Sequence, residues 1–210
     1  SEILLVSGWT NAIEQPRVKK LIIPDFLELD GFEEKLTGYD ACFYCASVTS
    51  MCLDENIYKH IVFDITLSFA IKLLMLNPEI TFNYLSDSRA DRTETSRLMF
   101  ANVRGRTENA LNKLLFKKIH HFRPGWIAPS KGQKNVKFRQ KMMGLLYPFY
   151  QLLAPNKMVT MHQIATAMIN VLVKDYPERT VRAKDIKILE KCHSGVTQME
   201  GKLTKVLSAL

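Results

Sequence analysis

The sequence predicts an α/β protein in which helices cover both faces of a parallel sheet. Short apolar runs alternate along the chain with longer segments whose apolar residues recur at helical spacing. The runs are apolar on both faces, as is typical of parallel strands buried on both sides. A chain of 210 residues with 47% hydrophobic and 24% charged residues fits one domain, with or without a small appendage.

The predicted strands are residues 2–7, 18–23, 41–47, 80–86 and 117–122. The segment "DGFEEKLTG" predicts a short helix with an aspartate N-cap, and a long helix should run from Asp54 to the break at Asn77-Pro78. An amphipathic helix is predicted for residues 97–115. Further on, "KFRQKMMGLLYPFYQLL" and "MHQIATAMINVLVKDY" predict helices, "TVRAKDIKIL" a final strand, and the tail 191–210 a helix.

Charge is distributed unevenly along the chain. Residues 1–90 carry a net charge of −6 and residues 91–210 a net charge of +14, which together give +8. This asymmetry favours an anionic partner, such as a nucleotide, phosphate, acidic lipid or nucleic acid. The alternative is a solvated basic face without a specific partner.

Membrane spans and metal sites are not expected. No apolar run reaches the ~18 residues that span a bilayer, and "SEILLVSGW" lacks the basic leader of a signal peptide, so a cytoplasmic protein is expected. Cys42 and Cys45 lie three apart in a predicted strand and should point to opposite faces. Since no second pair completes a zinc site, buried free thiols are expected.

Four segments carry a resemblance to a known family: "DFLELDGFEEKLTGYDACFYCASV", "ITFNYLSDS", "MFANVRGRTENAL" and "HFRPGWIAP". In this order they resemble the atypical, extended branch of the short-chain dehydrogenase/reductase superfamily, whose members are NAD(P)H-binding and nucleoside-diphosphate-sugar-epimerase-like. The resemblance implies a Rossmann-like NAD(P)-binding domain over residues 1–190, with a smaller substrate-side part at about 126–178. It implies NAD or NADP as cofactor, a small-molecule substrate of unknown identity and no nucleic acid, and it is compatible with an oligomer.

The resemblance also implies where the site lies. The residues placed beside the cofactor are Asp25, Phe26, Cys45, Ala46, Ser47, Ser86, Arg104, Pro124 and Gly125. Ser88 would help to polarise the substrate, and the positions of the catalytic tyrosine and lysine fall on Phe100 and Arg104. The alternative is that Phe100 is only a core residue and Arg104 only a surface residue.

Three departures from the family pattern affect the expected chemistry. The nine glycines are never closer than six apart, so the 210 residues contain no glycine-rich phosphate turn and are expected to start at the family's second strand. The two explanations are a further N-terminal segment that precedes Ser1 and a shortened form of the fold; for the 210 residues alone, dinucleotide binding should be impaired. In the family, an arginine near this point of the chain often binds the 2′-phosphate of NADP. Here Gly8 stands near that position, so the sequence does not indicate whether NAD or NADP is preferred. Phe100 has no hydroxyl, and Arg104 cannot lose its proton. The pair therefore retains a positive charge but cannot transfer a proton.

Three functions therefore remain. The first is an oxidoreductase or epimerase-like protein of weak or absent activity. The second is a non-catalytic regulatory or interaction protein. The third is a nucleic-acid or membrane-surface binder that uses the basic and aromatic stretch "KGQKNVKFRQKMMGLLYPFY".

Overall fold

The computed structural model describes residues 2–9, 16–48, 50, 53–128, 158–174, 176–191 and 205–209. The basic and aromatic stretch at 131–150, the helix predicted at 137–153 and most of the tail 191–210 lie outside the described residues.

Nine strands are described: β1 (Glu2–Ser7), β2 (Val18–Ile22), β3 (Ala41–Tyr44), β4 (Thr81–Leu85), β5 (Lys118–Arg123), β6 (Trp126–Ala128), β7 (Met158–Thr160), β8 (Thr180–Arg182) and β9 (Lys205–Ala209). Seven of them form one sheet in the order β2-β1-β9-β3-β4-β5-β8, and each neighbouring pair is parallel. Strands β6 and β7 form a separate parallel pair. The predicted α/β class and all five predicted strands are confirmed.

The described helices are α1 (Glu33–Leu36), α2 (Glu55–Lys59), α3 (Ile65–Leu76), α4 (Met99–Lys113), α5 (Met161–Val173) and α6 (Ala183–Lys191). A π-helical turn at His60–Asp64 joins α2 to α3, so the predicted long helix is continuous. The Asp54 side chain accepts a hydrogen bond from the Asn56 amide at 2.8 Å and caps its start. At its end, the Asn77 side chain accepts from the Gly38 and Tyr39 amides and donates to the Leu36 and Leu73 carbonyls, which ties the helix end to the segment between α1 and β3.

The strand order is that of a Rossmann-like sheet in which β9 takes the place of the first strand. In the usual order 3-2-1-4-5-6, strand 1 lies at the centre, beside the point where the direction of winding reverses. Here β9 pairs with β1 on one side and with β3 on the other. The expected gap in the sheet is therefore filled by a strand from the C-terminal end of the sequence.

Three sequence-based predictions are wrong. The tail was expected to be helical, but residues 205–209 are a strand because their backbone groups pair with two neighbouring strands. The segment "TVRAKDIKIL" is a strand only at Thr180–Arg182, since Ala183, Ile186 and Leu189 are buried at the three-residue spacing of a helix. Helix α1 has Phe32 rather than an aspartate at its N-cap.

Two hydrophobic clusters cover the two faces of the sheet. On one face, α3 and α4 bury side chains such as Phe69, Leu73 and Leu111 against β1, β3 and β4. On the other face, α5 and α6 pack onto β5 and β8. Cys42 belongs to the first cluster and Cys45 to the second, so the predicted pair of free thiols on opposite faces is confirmed.

Candidate functional site

The parallel strands bring most of the predicted site residues to one edge of the sheet. Residues 45–47 follow β3, Ser86 follows β4, and Arg123 ends β5. The winding of the sheet reverses between β9 and β3. Open α/β sheets bind their ligands outside the strand ends at such a reversal, so this edge is the candidate site.

Arg104 lies at the centre of this edge and is only 7% exposed. Its Nε donates to the Tyr58 hydroxyl at 3.2 Å, and its Nη1 donates to the Leu85 carbonyl at 3.0 Å and to the Tyr84 hydroxyl at 3.4 Å. Its Nη2 donates to the hydroxyl of Ser47. The alternative that Arg104 is a surface residue is therefore wrong.

The Arg104 guanidinium remains a cation despite its burial. Burial alone would lower its pKa, but the neighbouring oxygens of Tyr84 and Tyr58 offset this, and the pKa is raised. The pKa of Tyr84 is also raised, chiefly by burial, although the charge of Arg104 opposes the shift. The phenol therefore stays protonated and accepts from Arg104 as a neutral group.

Phe100 lies one helical turn before Arg104 and is partly buried. The guanidinium carbon of Arg89 lies 4.4 Å from the centre of its ring, a cation–π contact at the rim of the site. Ser88 is exposed on the loop between β4 and α4. Phe100 therefore contributes a ring that packs at this edge and has no proton to transfer.

A second network surrounds Glu108, which lies one helical turn beyond Arg104. The side chain of Glu108 is fully buried. Its carboxylate accepts from the Ser86 hydroxyl at 2.6 Å and from Arg92 Nε at 2.7 Å. Arg123 donates to both of its oxygens, through Nε at 2.8 Å and Nη2 at 2.6 Å. Burial opposes ionisation, but the hydrogen bonds from Arg123 and Ser86 and the charge of Arg123 hold the pKa of Glu108 below its usual value. The proton of Ser86 is therefore already donated within the protein.

Other predicted residues lie along the same edge with different surroundings. Asp25 accepts from the Leu27 amide at 2.8 Å, and the ring of Phe26 packs 5.4 Å from that of Phe69. Burial raises the pKa of Cys45 to about 11, so this side chain is a thiol at neutral pH. Ala46 packs against the first hydrophobic cluster.

The turn after β5 has a buried proline and a partly exposed glycine, Pro124 and Gly125. It leads directly into β6, which begins with the half-exposed Trp126.

Sequence reasoning did not single out Tyr58 or Glu108. Glu108 could have been found, because residues 100, 104 and 108 follow one another at four-residue spacing on one face of α4. Tyr58 carries no such signal, since it comes from α2 and reaches Arg104 only through the tertiary fold.

Comparison with known proteins identifies the fold. No protein-family model matches the sequence, and no curated protein matches it significantly. Among solved structures, RMD from Pseudomonas aeruginosa complexed with NADPH is similar with a TM-score of 0.57 and 16% identity, over 100% of this chain and 87% of that chain. The dTDP-4-dehydrorhamnose reductase from Bacillus anthracis in complex with NADP has a TM-score of 0.55 and 11% identity, over 99% and 84% of the two chains. WbmG from Bordetella bronchiseptica in complex with NAD has a TM-score of 0.61 and 8% identity, over 86% of this chain but only 64% of that chain.

The chain has the Rossmann-like fold of these dinucleotide-binding proteins. The predicted Rossmann-like fold is confirmed. Among the described residues, no helix is long and apolar enough to cross a membrane. The same residues contain no group of three or more histidine, cysteine or acidic side chains placed to hold a metal ion.

Proposed function

We propose that the protein binds NAD or NADP along the carboxyl edge of its sheet and has weak or absent oxidoreductase or epimerase-like activity. The observation that supports this proposal best is the position of Arg104, a buried cation at the carboxyl ends of β3 and β4, beside the strand at which the winding of the Rossmann-like sheet reverses. The neighbouring structures that contain NADPH, NADP or NAD support the class of cofactor.

The residues at this edge fit a dinucleotide in part. Ser47 and Arg104 offer a hydroxyl and a cation for ribose or phosphate oxygens, and Pro124 and Gly125 would line the nicotinamide. Asp25 is the residue that would contact the adenine. When bound, the nicotinamide would supply hydride chemistry; the chain's own residues would orient it.

Proton transfer is the step that this site is least equipped to perform. Phe100 has no ionisable group, Arg104 keeps its proton, and the proton of Ser86 is directed to Glu108. We therefore expect any ligand to be held without the acid–base step that a tyrosine–lysine pair would provide.

Binding should also be weak, because the 210 residues contain no glycine-rich turn. Such a turn offers backbone amides to the pyrophosphate as charge-assisted hydrogen bonds of about 1.5–3 kcal/mol each. The loss of two such bonds would reduce affinity by about a hundredfold or more.

A titration with NADPH tests the proposal, with Trp9 and Trp126 as fluorescent reporters, because both are exposed near the carboxyl ends of strands. We expect saturable binding only at high ligand concentration, with a further loss in Arg104→Ala. Arg106→Ala is the matched control, since Arg106 lies on the same helix but is half exposed and pairs with Glu94. Low-micromolar binding that survives about 0.5 M NaCl would show that another phosphate site replaces the missing turn.

A non-catalytic regulatory protein with this fold is the second candidate, and the phenylalanine at the tyrosine position favours it. The same titration separates the two functions. If neither NADPH nor NADH changes the fluorescence or the thermal unfolding midpoint at any concentration, dinucleotide binding is excluded and the second candidate stands.

A further inference from the structure

Arg104 is a buried cation that the described residues leave without a counter-ion. A guanidinium has five N–H donors, and four of them are taken up by the hydroxyls of Tyr58, Tyr84 and Ser47 and by one backbone carbonyl. All four acceptors are neutral oxygens. Among the described residues, no carboxylate lies within ion-pair distance of Arg104. Within the part of the chain that the structure describes, one Nη2 hydrogen of Arg104, beside Ser47, has no acceptor.

The neighbouring network shows the contrast. Arg92 and Arg123 both form ion pairs with the fully buried carboxylate of Glu108, whereas Arg104 has only neutral acceptors among the described residues. Asp87 is the acidic residue whose charge acts on Arg104, but its carboxylate accepts from the Arg89 amide at 2.9 Å and from Arg89 Nε at 3.4 Å. The positive charge at Arg104 is therefore available to a ligand.

Two hydroxyl groups beside Arg104 can contribute to binding an anion. Tyr58 and Ser47 both accept from the guanidinium, which directs their own hydrogens away from it. Ser47 is exposed and makes only a long contact of 3.4 Å to the Val48 carbonyl, so its hydroxyl can turn toward a ligand. A buried charge is costly unless it is paired, and an anion entering past Ser47 would pair it.

We propose that Arg104 and Ser47, supported by Tyr58, form a binding site for the carboxylate or phosphate group of a small ligand. The anion contacts the remaining Nη2–H and the Ser47 hydroxyl. A fixed guanidinium suits such a group better than a sugar diol, because the anion neutralises the charge and the diol does not. The site requires no dinucleotide, and it lies where the fold positions the reacting part of a substrate.

Calorimetric titrations of the whole chain with inorganic phosphate and with acetate, in chloride buffer without dinucleotide, test this proposal. We expect saturable binding of at least one anion with one-to-one stoichiometry. Arg104→Gln should abolish it, and Ser47→Ala should weaken it about fivefold, the effect of one hydrogen bond. The matched control Arg106→Gln removes an exposed charge from the same helix and should leave binding unchanged.

Phosphate and acetate distinguish the two possible classes of ligand. Binding of phosphate alone indicates a phosphate ester as ligand, and binding of acetate alone indicates a carboxylic acid. The proposal is overturned if wild-type protein binds neither anion, or if Arg106→Gln weakens binding as much as Arg104→Gln. Should Arg104→Gln fail to fold, Ser47→Ala decides: unchanged affinity in this exposed-site variant overturns the proposal. Since no dinucleotide is present, the result does not depend on whether NADPH binds.

Discussion

His121 should make the stability of the protein fall steeply as the pH drops below 7. This side chain is completely buried on β5, and its Nε2 lies 3.1 Å from the Asn112 side-chain oxygen. Burial is the main cause that lowers its pKa to about 3; Arg92 and Arg123 add to the shift and Glu108 opposes it. The folded protein therefore holds His121 neutral where the unfolded chain would protonate it.

The sign and size of the effect follow from this difference in proton binding. The ordinary pKa of histidine is 6.5, so between that value and about 3 the unfolded state binds one proton more than the folded state. Stability must then rise with pH in this window and fall as the pH is lowered. From about pH 8 to about pH 5 the free energy of unfolding should fall by about 2 kcal/mol from His121 alone.

Urea denaturation of wild type and His121→Gln at several pH values between about 8 and 5 measures this contribution. Glutamine keeps a polar partner for Asn112 and does not titrate. Most acidic side chains titrate below this range, so the difference between the two proteins isolates His121. We expect the wild-type curve to fall more steeply, by about 2 kcal/mol over the range. Parallel curves would refute the assignment of a neutral, buried histidine.

Two further predictions concern α4 and the loop packed against it. Glu108→Gln should lower the free energy of unfolding, measured in urea, by about 3–5 kcal/mol, because it leaves the largely buried guanidinium of Arg123 and the partly exposed one of Arg92 without their carboxylate. The control Glu94→Gln, in a more exposed pair, should cost less than about 1 kcal/mol. Equal losses in the two variants would contradict this prediction. Gly105→Ala should destabilise by about 3 kcal/mol despite the better helix propensity of alanine, because a Cβ at this position would lie 1.7 Å from the Asp91 carbonyl oxygen. A thermal unfolding midpoint equal to or above that of wild type would show that the loop moves aside freely.

The strands and the long helix could be predicted because their signals are local. Apolar runs marked five strands, and Asp54 and Asn77 marked the two ends of the long helix. Strand β9 could not be predicted in this way. Its identity depends on pairing with residues about 200 and about 160 positions earlier, which no local pattern records.

The sequence indicated which elements carry the candidate site residues but not what their side chains contact. Parallel strands put Ser47, Ser86 and Arg104 at one edge, as the order of the elements implies. What the side chains contact there depends on partners far apart in the sequence. The hydroxyl of Ser86 goes to Glu108, and the guanidinium of Arg104 goes to Tyr58.

The central place of β9 has a consequence for how the chain is made. Strands β1 and β3 are synthesised before the strand that lies between them, which comes about 160 residues after β3. At translation rates of about 5–20 residues per second, this interval lasts about 8–30 s. Until β9 has been synthesised, the edges of β1 and β3 that will pair with it have unpaired backbone groups, to which another extended chain can bind. In the nascent protein, the middle of the sheet rather than its rim is then the place most open to misassembly.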